Sequence, residues 1–97
     1  MTRLPTLNPT EMSCRQKEVY NSILSGPRGR VQGPIAIWLH RANLADKAQA
    51  LGQYCRYETS LPAHLSELAI LTTARIWDAK FEWHAHVPPA LAAGLDP

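Results

Sequence analysis

The sequence is poor in features that define several large classes of protein. It contains two cysteines, Cys14 and Cys55, and neither belongs to a C-x-x-C pair, so neither a zinc ribbon nor a local redox motif is indicated. It also contains no long hydrophobic run of the kind that forms a transmembrane span or the apolar part of a signal peptide. We therefore expect a cytoplasmic protein whose thiols stay reduced, with no membrane partner.

The sequence also lacks a large excess of charge of either sign. Ten Lys and Arg residues against eight Asp and Glu residues give a net charge of +2. The basic residues are spread along the chain and are not interleaved with aromatics, so nucleic acid is not an expected partner. The only local concentration is "GPRGR", with Arg28 and Arg30. This pattern is typical of a solvated loop, although it could also meet an anionic small molecule.

Hydrophobic spacing predicts an all-α protein, because no segment alternates like a strand and no repeat is present. Residues 1–9 are predicted to be an extended arm, followed by a helix that Thr10 caps. After the loop "GPRGRVQGP", Pro34 should begin a short helix. Asn43 should cap a further helix with an apolar stripe. That stripe comprises Leu44, Ala48, Leu51 and Cys55, and the free thiol is expected to be buried on it.

The second half of the chain predicts two more helices. One contains "LAILTTA", which carries no charge and is therefore expected at the centre of a bundle. Glu67 lies at the head of this stretch, and a buried carboxylate costs several kcal/mol, in the range of about 3–5, unless it is paired or protonated. The other helix should run from Asp78 to Ala93, with Gly94 in the left-handed conformation after it. Pro88 and Pro89 predict a kink or a break inside it.

The length of the chain predicts one domain over 1–97, with a small core. The final "LDP" is typical of a helix about to begin. We therefore expect a fragment, or a short form whose core is completed by a partner chain.

The segment "EWHAH", Glu82 to His86, carries one carboxylate and two imidazoles. In a strand all three would share a face, as metal ligands do. In a helix His84 and His86 lie about 200° apart, whereas Glu82 and His86 are one turn apart and stack. The alanines and the lack of β-branched residues favour the helix. A metal site would then need a further imidazole such as His40 or His64, and the simpler alternative is an ion pair on a solvated surface.

A family resemblance bears on this choice. The residues that carry it are "LSELAILTTAR" at 65–75, "EWHAH" at 82–86 and "HVPPALAAGL" at 86–95, with looser likeness in "GPRGRVQGPIAIWLH" and "KAQALGQYCRYETSLP". Over most of its length the chain resembles the carboxymuconolactone decarboxylase family, which includes the alkylhydroperoxidase D-like proteins. The resemblance implies an alkylhydroperoxidase D-like helical bundle, here an incomplete copy that forms a homo-oligomer.

The peroxidase branch of that family has a C-x-x-C pair before the histidine and a glutamate on the preceding helix. The two thiol positions fall on Ala79 and Glu82 here, whereas the glutamate and histidine positions fall on Glu67 and His86. Without a thiolate at those positions there is no nucleophile to attack a peroxide. The resemblance therefore implies the decarboxylase branch, and thiol peroxidase activity is the less favoured alternative.

The implied activity is a carboxy-lyase that acts on a small carboxylated substrate without a metal or another cofactor. Its expected acid/base residues are Glu67, Glu82 and His86. Residues expected to contact the substrate are Trp83, Arg28, Arg30 and Trp38. The alternative from a different class is a non-catalytic helical oligomerisation domain with the same fold.

Overall fold

The computed structural model of the protein describes residues 3–97. Every regular element in this range is helical, which confirms the all-α prediction. The elements are a 3₁₀ turn at Pro9–Glu11, α1 at Cys14–Ser25, α2 at Pro34–Trp38, α3 at Ala42–Gln53, a π-helix at Tyr54–Glu58, α4 at Ala63–Ile76 and α5 at Lys80–Ala92. They form two compact units, one ending at Gln53 and the other comprising Tyr54–Pro97. Within residues 3–97, no helix combines the length and hydrophobicity needed to cross a bilayer.

Helix α1 begins later than its sequence suggests, and Thr10 does not cap it. Ser13 is the N-cap: its hydroxyl accepts from the Gln16 backbone at 3.1 Å, and the Gln16 side chain accepts from the Ser13 backbone at 2.9 Å. This reciprocal capping box satisfies two backbone donors at once, which a cap at Thr10 would not do. The Thr10 hydroxyl instead lies 2.9 Å from Oδ1 of Asn8, which caps the 3₁₀ turn.

The predicted arm is tied to the rest of the N-terminal unit. Residues 3–8 form no helix or strand, and the part of the prediction that concerns 1–2 lies outside the described residues. The Pro5 carbonyl oxygen lies 2.9 Å from Nε2 of His40, which donates to it. Further along, the loop prediction holds, and Pro34 begins α2 as expected.

A hydrophobic core lies within the N-terminal unit. Its buried members are Met12, Val19, Ile23, Ile35, Leu39 and Ala45. Because α1, α2 and α3 all contribute to this core, each of these short helices buries one side against the others.

The prediction for the buried face of α3 is wrong. Ala45 and Gln49 are the buried residues, whereas Leu44 and Leu51 are 51% and 66% exposed and Cys55 is also exposed. Ala45 is fully buried, and its small side chain permits close approach to the neighbouring helices. The buried face of α3 is therefore the one that carries Ala45 and Gln49, and it is rotated away from Leu44 and Leu51. Hydrophobic periodicity does not encode how closely two helices pack.

The C-terminal unit is built on packing between α4 and α5. Asp78, in the short connection between them, has a left-handed φ of 50°. The side of α4 that is buried carries Ser66, Glu67, Leu71 and Ala74. The rest of α4 is open, with Leu68 43% and Ile76 73% exposed, so the expected central position is wrong for this chain.

Helix α5 continues through Pro88 and Pro89, so the predicted alternative of a new helix at Pro88 is wrong. The two prolines cannot donate to the carbonyl groups one turn earlier, at His84 and Ala85. The helix tolerates these two missing hydrogen bonds within a run of 13 residues.

The end of α5 follows its prediction. Gly94 has a φ of 100°, and its backbone donates to Leu91 at 3.1 Å while Leu95 donates to Ala90 at 3.0 Å. These two bonds constitute a Schellman motif, which a left-handed glycine makes possible without steric cost.

Candidate functional site

The segment "EWHAH" is helical and lies in the first half of α5. Glu82 and His86 are therefore one turn apart on one face, with Oε2 of Glu82 3.5 Å from Nε2 of His86. His84 lies about 200° away around the helix from His86, and it is exposed. The helical alternative therefore describes this segment, and the two histidines do not converge.

Glu67 meets His86 from the facing helix α4. Its Oε2 lies 2.6 Å from Nδ1 of His86, and the two side chains are only 6% and 11% exposed. The first turns of α4 bring the carboxylate to the buried face, where α5 packs. The structure thus brings together three of the residues singled out in the sequence, Glu67, Glu82 and His86.

Arg56 is the member of this cluster that sequence reasoning missed. Its Nε donates to Oε1 of Glu67 at 2.8 Å, and its side chain is 16% exposed. It lies in the π-helix Tyr54–Glu58, where the extra residue per turn changes the direction of the side chains. No sequence pattern marks that insertion, and an arginine eleven positions before a glutamate is not a recognised spacing.

Two further contacts hold Arg56 in place. The Ser66 hydroxyl donates to the Arg56 carbonyl oxygen at 3.0 Å, which ties the π-helix to α4. The Arg56 guanidinium also lies 4.8 Å from the centre of the Tyr57 ring, within the range of a cation–π contact. Ser66 therefore supports the ion pair through the backbone of its partner.

The donors and acceptors of this cluster determine which nitrogen of His86 carries a proton. The guanidinium of Arg56 can only donate, and the carboxylate of Glu67 that it pairs with can only accept. Nδ1 of His86 must then carry the hydrogen of the 2.6 Å bond. Nε2 is left facing Glu82, whose side chain is 37% exposed. The cluster therefore fixes one ring nitrogen of His86 and leaves the other available to exchange a proton.

The residues expected to contact the substrate are placed differently. Arg28, Arg30 and Trp38 belong to the N-terminal unit. There Trp38 packs against the hydrophobic core. Arg28 packs so closely against Gly52 that a Cβ at that position would lie 2.7 Å from Nη2 of Arg28. Trp83 is on α5, 40% exposed, in the position after Glu82.

The thiols and the imidazoles outside the cluster do not add to it. Cys14 and Cys55 are both free and exposed. His40 is bonded to the Pro5 carbonyl oxygen, and His64 is exposed. Within residues 3–97, no three side chains of His, Cys, Asp or Glu converge in a way that would hold a metal ion.

Comparisons of the chain with protein-family models, with curated proteins and with solved structures found no match.

Proposed function

We propose that this chain is a carboxymuconolactone decarboxylase-like protein of alkylhydroperoxidase D-like fold, and that it decarboxylates a small carboxylated substrate without a cofactor. The observation that carries the proposal is the buried 2.6 Å contact between Glu67 and Nδ1 of His86. A histidine held in this way by a carboxylate is the usual arrangement for a general acid or base.

The proposed reaction needs one proton donor and no redox partner. When the bond between carbon and the carboxylate breaks, carbon dioxide leaves and the electron pair remains on a carbon conjugated with the substrate carbonyl. The resulting dienolate then takes a proton at carbon from Nε2–H of His86 in its imidazolium form, which leaves a neutral ring protonated on Nδ1. Nε2 recovers a proton from solvent, so the atoms and charges balance over one turnover.

The other three residues have supporting roles. Glu67 orients the ring through Nδ1, and Arg56 holds the Glu67 carboxylate through its 2.8 Å contact. Both are positioning residues, since they act through His86. Glu82 lies 3.5 Å from Nε2 and is partly open to solvent, which suits a group that returns the proton to the ring.

The test is release of carbon dioxide from a carboxylated lactone incubated with the purified protein. The proposal expects release above the uncatalysed rate, and a loss of about 100-fold or more in His86→Ala. Glu18→Gln is a suitable control, because Glu18 is an exposed residue of α1 outside the cluster. Equal rates for wild type and a folded His86→Ala variant would remove His86 from the mechanism.

A second function, a non-catalytic homo-oligomerisation domain, is favoured by the exposed apolar residues of α4 and α5. These are Leu65, Leu68, Ile76, Phe81 and Leu91, each at least 40% exposed. Burial of such residues between copies of the chain would be favourable. Light scattering would detect the oligomer. An oligomer that releases no carbon dioxide would support this function over the first.

A further inference from the structure

A second feature of the C-terminal unit is a cavity of about 420 Å³ that opens to solvent where α4 ends and α5 begins. It is lined by Ala74, Arg75, Asp78, Ala79, Lys80, Trp83 and His84. Its size is within the range of about 300–1,000 Å³ that is typical of small-molecule sites. None of the four residues of the His86 cluster, which are Arg56, Glu67, Glu82 and His86 itself, lines this cavity. The cavity is therefore separate from the cluster.

Positive charge dominates the walls of this cavity. Arg75 and Lys80 supply two permanent cations from α4 and α5, His84 supplies an imidazole, and Asp78 supplies the only carboxylate among the lining residues. In the described part of the chain, no hydrogen bond or ion pair engages the side chains of these four residues. The two cations are therefore available to an anion from solution.

One wall of the cavity is aromatic. Trp83 lies in the first turns of α5 and is 40% exposed, so part of its indole is open to a molecule in the cavity. A flat ring gains favourable contact when it stacks against an indole. The planar guanidinium of Arg75 can meanwhile bind a carboxylate or a phosphate in a two-pronged fashion.

We propose that this cavity binds a small molecule that carries an anionic group beside a flat ring. Arg75 and Lys80 hold the anionic group, and Trp83 stacks on the ring. Asp78 disfavours a second anionic group and accepts a hydrogen bond from a hydroxyl or amino substituent. The proposal does not rest on decarboxylation, because it uses neither Glu67 nor His86.

Titrations of ¹⁵N-labelled protein followed by NMR test this proposal. The probes are benzoate and adenosine monophosphate, which offer a carboxylate or a phosphate beside a ring. Inorganic phosphate and benzamide serve as the ringless and uncharged controls. We expect a saturable shift of the Trp83 indole signal with one of the first two probes, and the one that binds more tightly identifies the anionic group. Both controls should bind about tenfold more weakly or not at all.

Variants separate this site from non-specific attraction. Arg75→Gln and Lys80→Gln should each weaken binding about three- to tenfold, since each removes one charged contact at a partly solvated site. Lys17→Gln removes an exposed positive charge from α1 and should leave binding unchanged. The proposal is overturned if neither ring-bearing probe gives a saturable shift. It is equally overturned if Lys17→Gln weakens binding as much as the two cavity variants do.

Discussion

Replacement of Glu67 by glutamine removes the negative charge that Arg56 and His86 both contact, and it keeps the shape of the side chain. Both oxygens of Glu67 are in use, one at 2.8 Å from Arg56 and one at 2.6 Å from His86. Since Nε of Arg56 can only donate, the amide oxygen of the new side chain must face it. The amide NH₂ group then faces Nδ1 of His86, which can accept only if its proton moves to Nε2.

The expected loss of stability follows from these two contacts. A hydrogen bond to a charged group contributes about 1.5–3 kcal/mol, and a neutral one contributes about 0.5–1.5 kcal/mol. The His86 contact becomes neutral and should weaken by about 1 kcal/mol. The Arg56 contact keeps its charged donor but loses the opposite charge, and it should weaken by a similar amount, so the free energy of unfolding of Glu67→Gln should fall by about 2 kcal/mol. Glu67→Ala leaves both partners without an acceptor, so its loss should be greater, at about 3–5 kcal/mol.

Urea unfolding followed by far-ultraviolet circular dichroism measures these free energies by linear extrapolation. Glu18→Gln is the matched control, because it removes an exposed carboxylate. The side chain of Glu18 is 70% exposed and lies 3.0 Å from Arg15. An exposed pair of this kind should contribute less than about 1 kcal/mol. If Glu67→Gln were no less stable than Glu18→Gln, the buried cluster would not have the energetic role assigned to it.

Four other outcomes are expected. Ser13→Ala should lower the free energy of unfolding by about 1 kcal/mol through loss of the N-cap, and an unchanged urea midpoint would contradict the role of the capping box. Gly94→Ala should cost about 1–2 kcal/mol in the same assay from its positive φ alone, because nothing lies within 4 Å of the added Cβ. Ile23→Ala should cost about 2–5 kcal/mol, since Ile23 is 1% exposed in the N-terminal core, and a loss below 1 kcal/mol would count against that packing. Alkylation of Cys14 and Cys55, which are both exposed, should leave the helical content and any carbon dioxide release unchanged, whereas abolished release would implicate a thiol.

Local features of the fold could be predicted from the sequence. Glycine and proline mark the loop before α2, and glycine marks the end of α5, because glycine permits a positive φ whereas proline fixes φ and lacks a backbone donor. The stacking of Glu82 on His86 follows from helical periodicity once the segment is assigned as a helix. The uncharged stretch after Glu67 predicts a central helix, which is wrong for α4, so the burial of Glu67 follows from the packing of α5 against one face of α4 and not from that stretch.

Features that depend on packing between elements could not be predicted in this way. The buried face of α3 is set by how closely Ala45 lets the helices approach, so hydrophobicity alone selected Leu44 and Leu51 wrongly. Arg56 was missed because its direction depends on the π-helix, which has no sequence signature. The continuity of α5 through its two prolines likewise reflects a balance between lost hydrogen bonds and the rest of the helix.

The hydrogen bond between Glu67 and Nδ1 of His86 is tested most directly by long-range ¹H–¹⁵N NMR of the imidazole ring. At neutral pH, the signals of wild-type protein should show a proton on Nδ1, the nitrogen 2.6 Å from Glu67. In Glu67→Gln the proton should move to Nε2. A wild-type His86 whose Nδ1 carries no proton would contradict both the hydrogen bond and the proton-transfer role built on it.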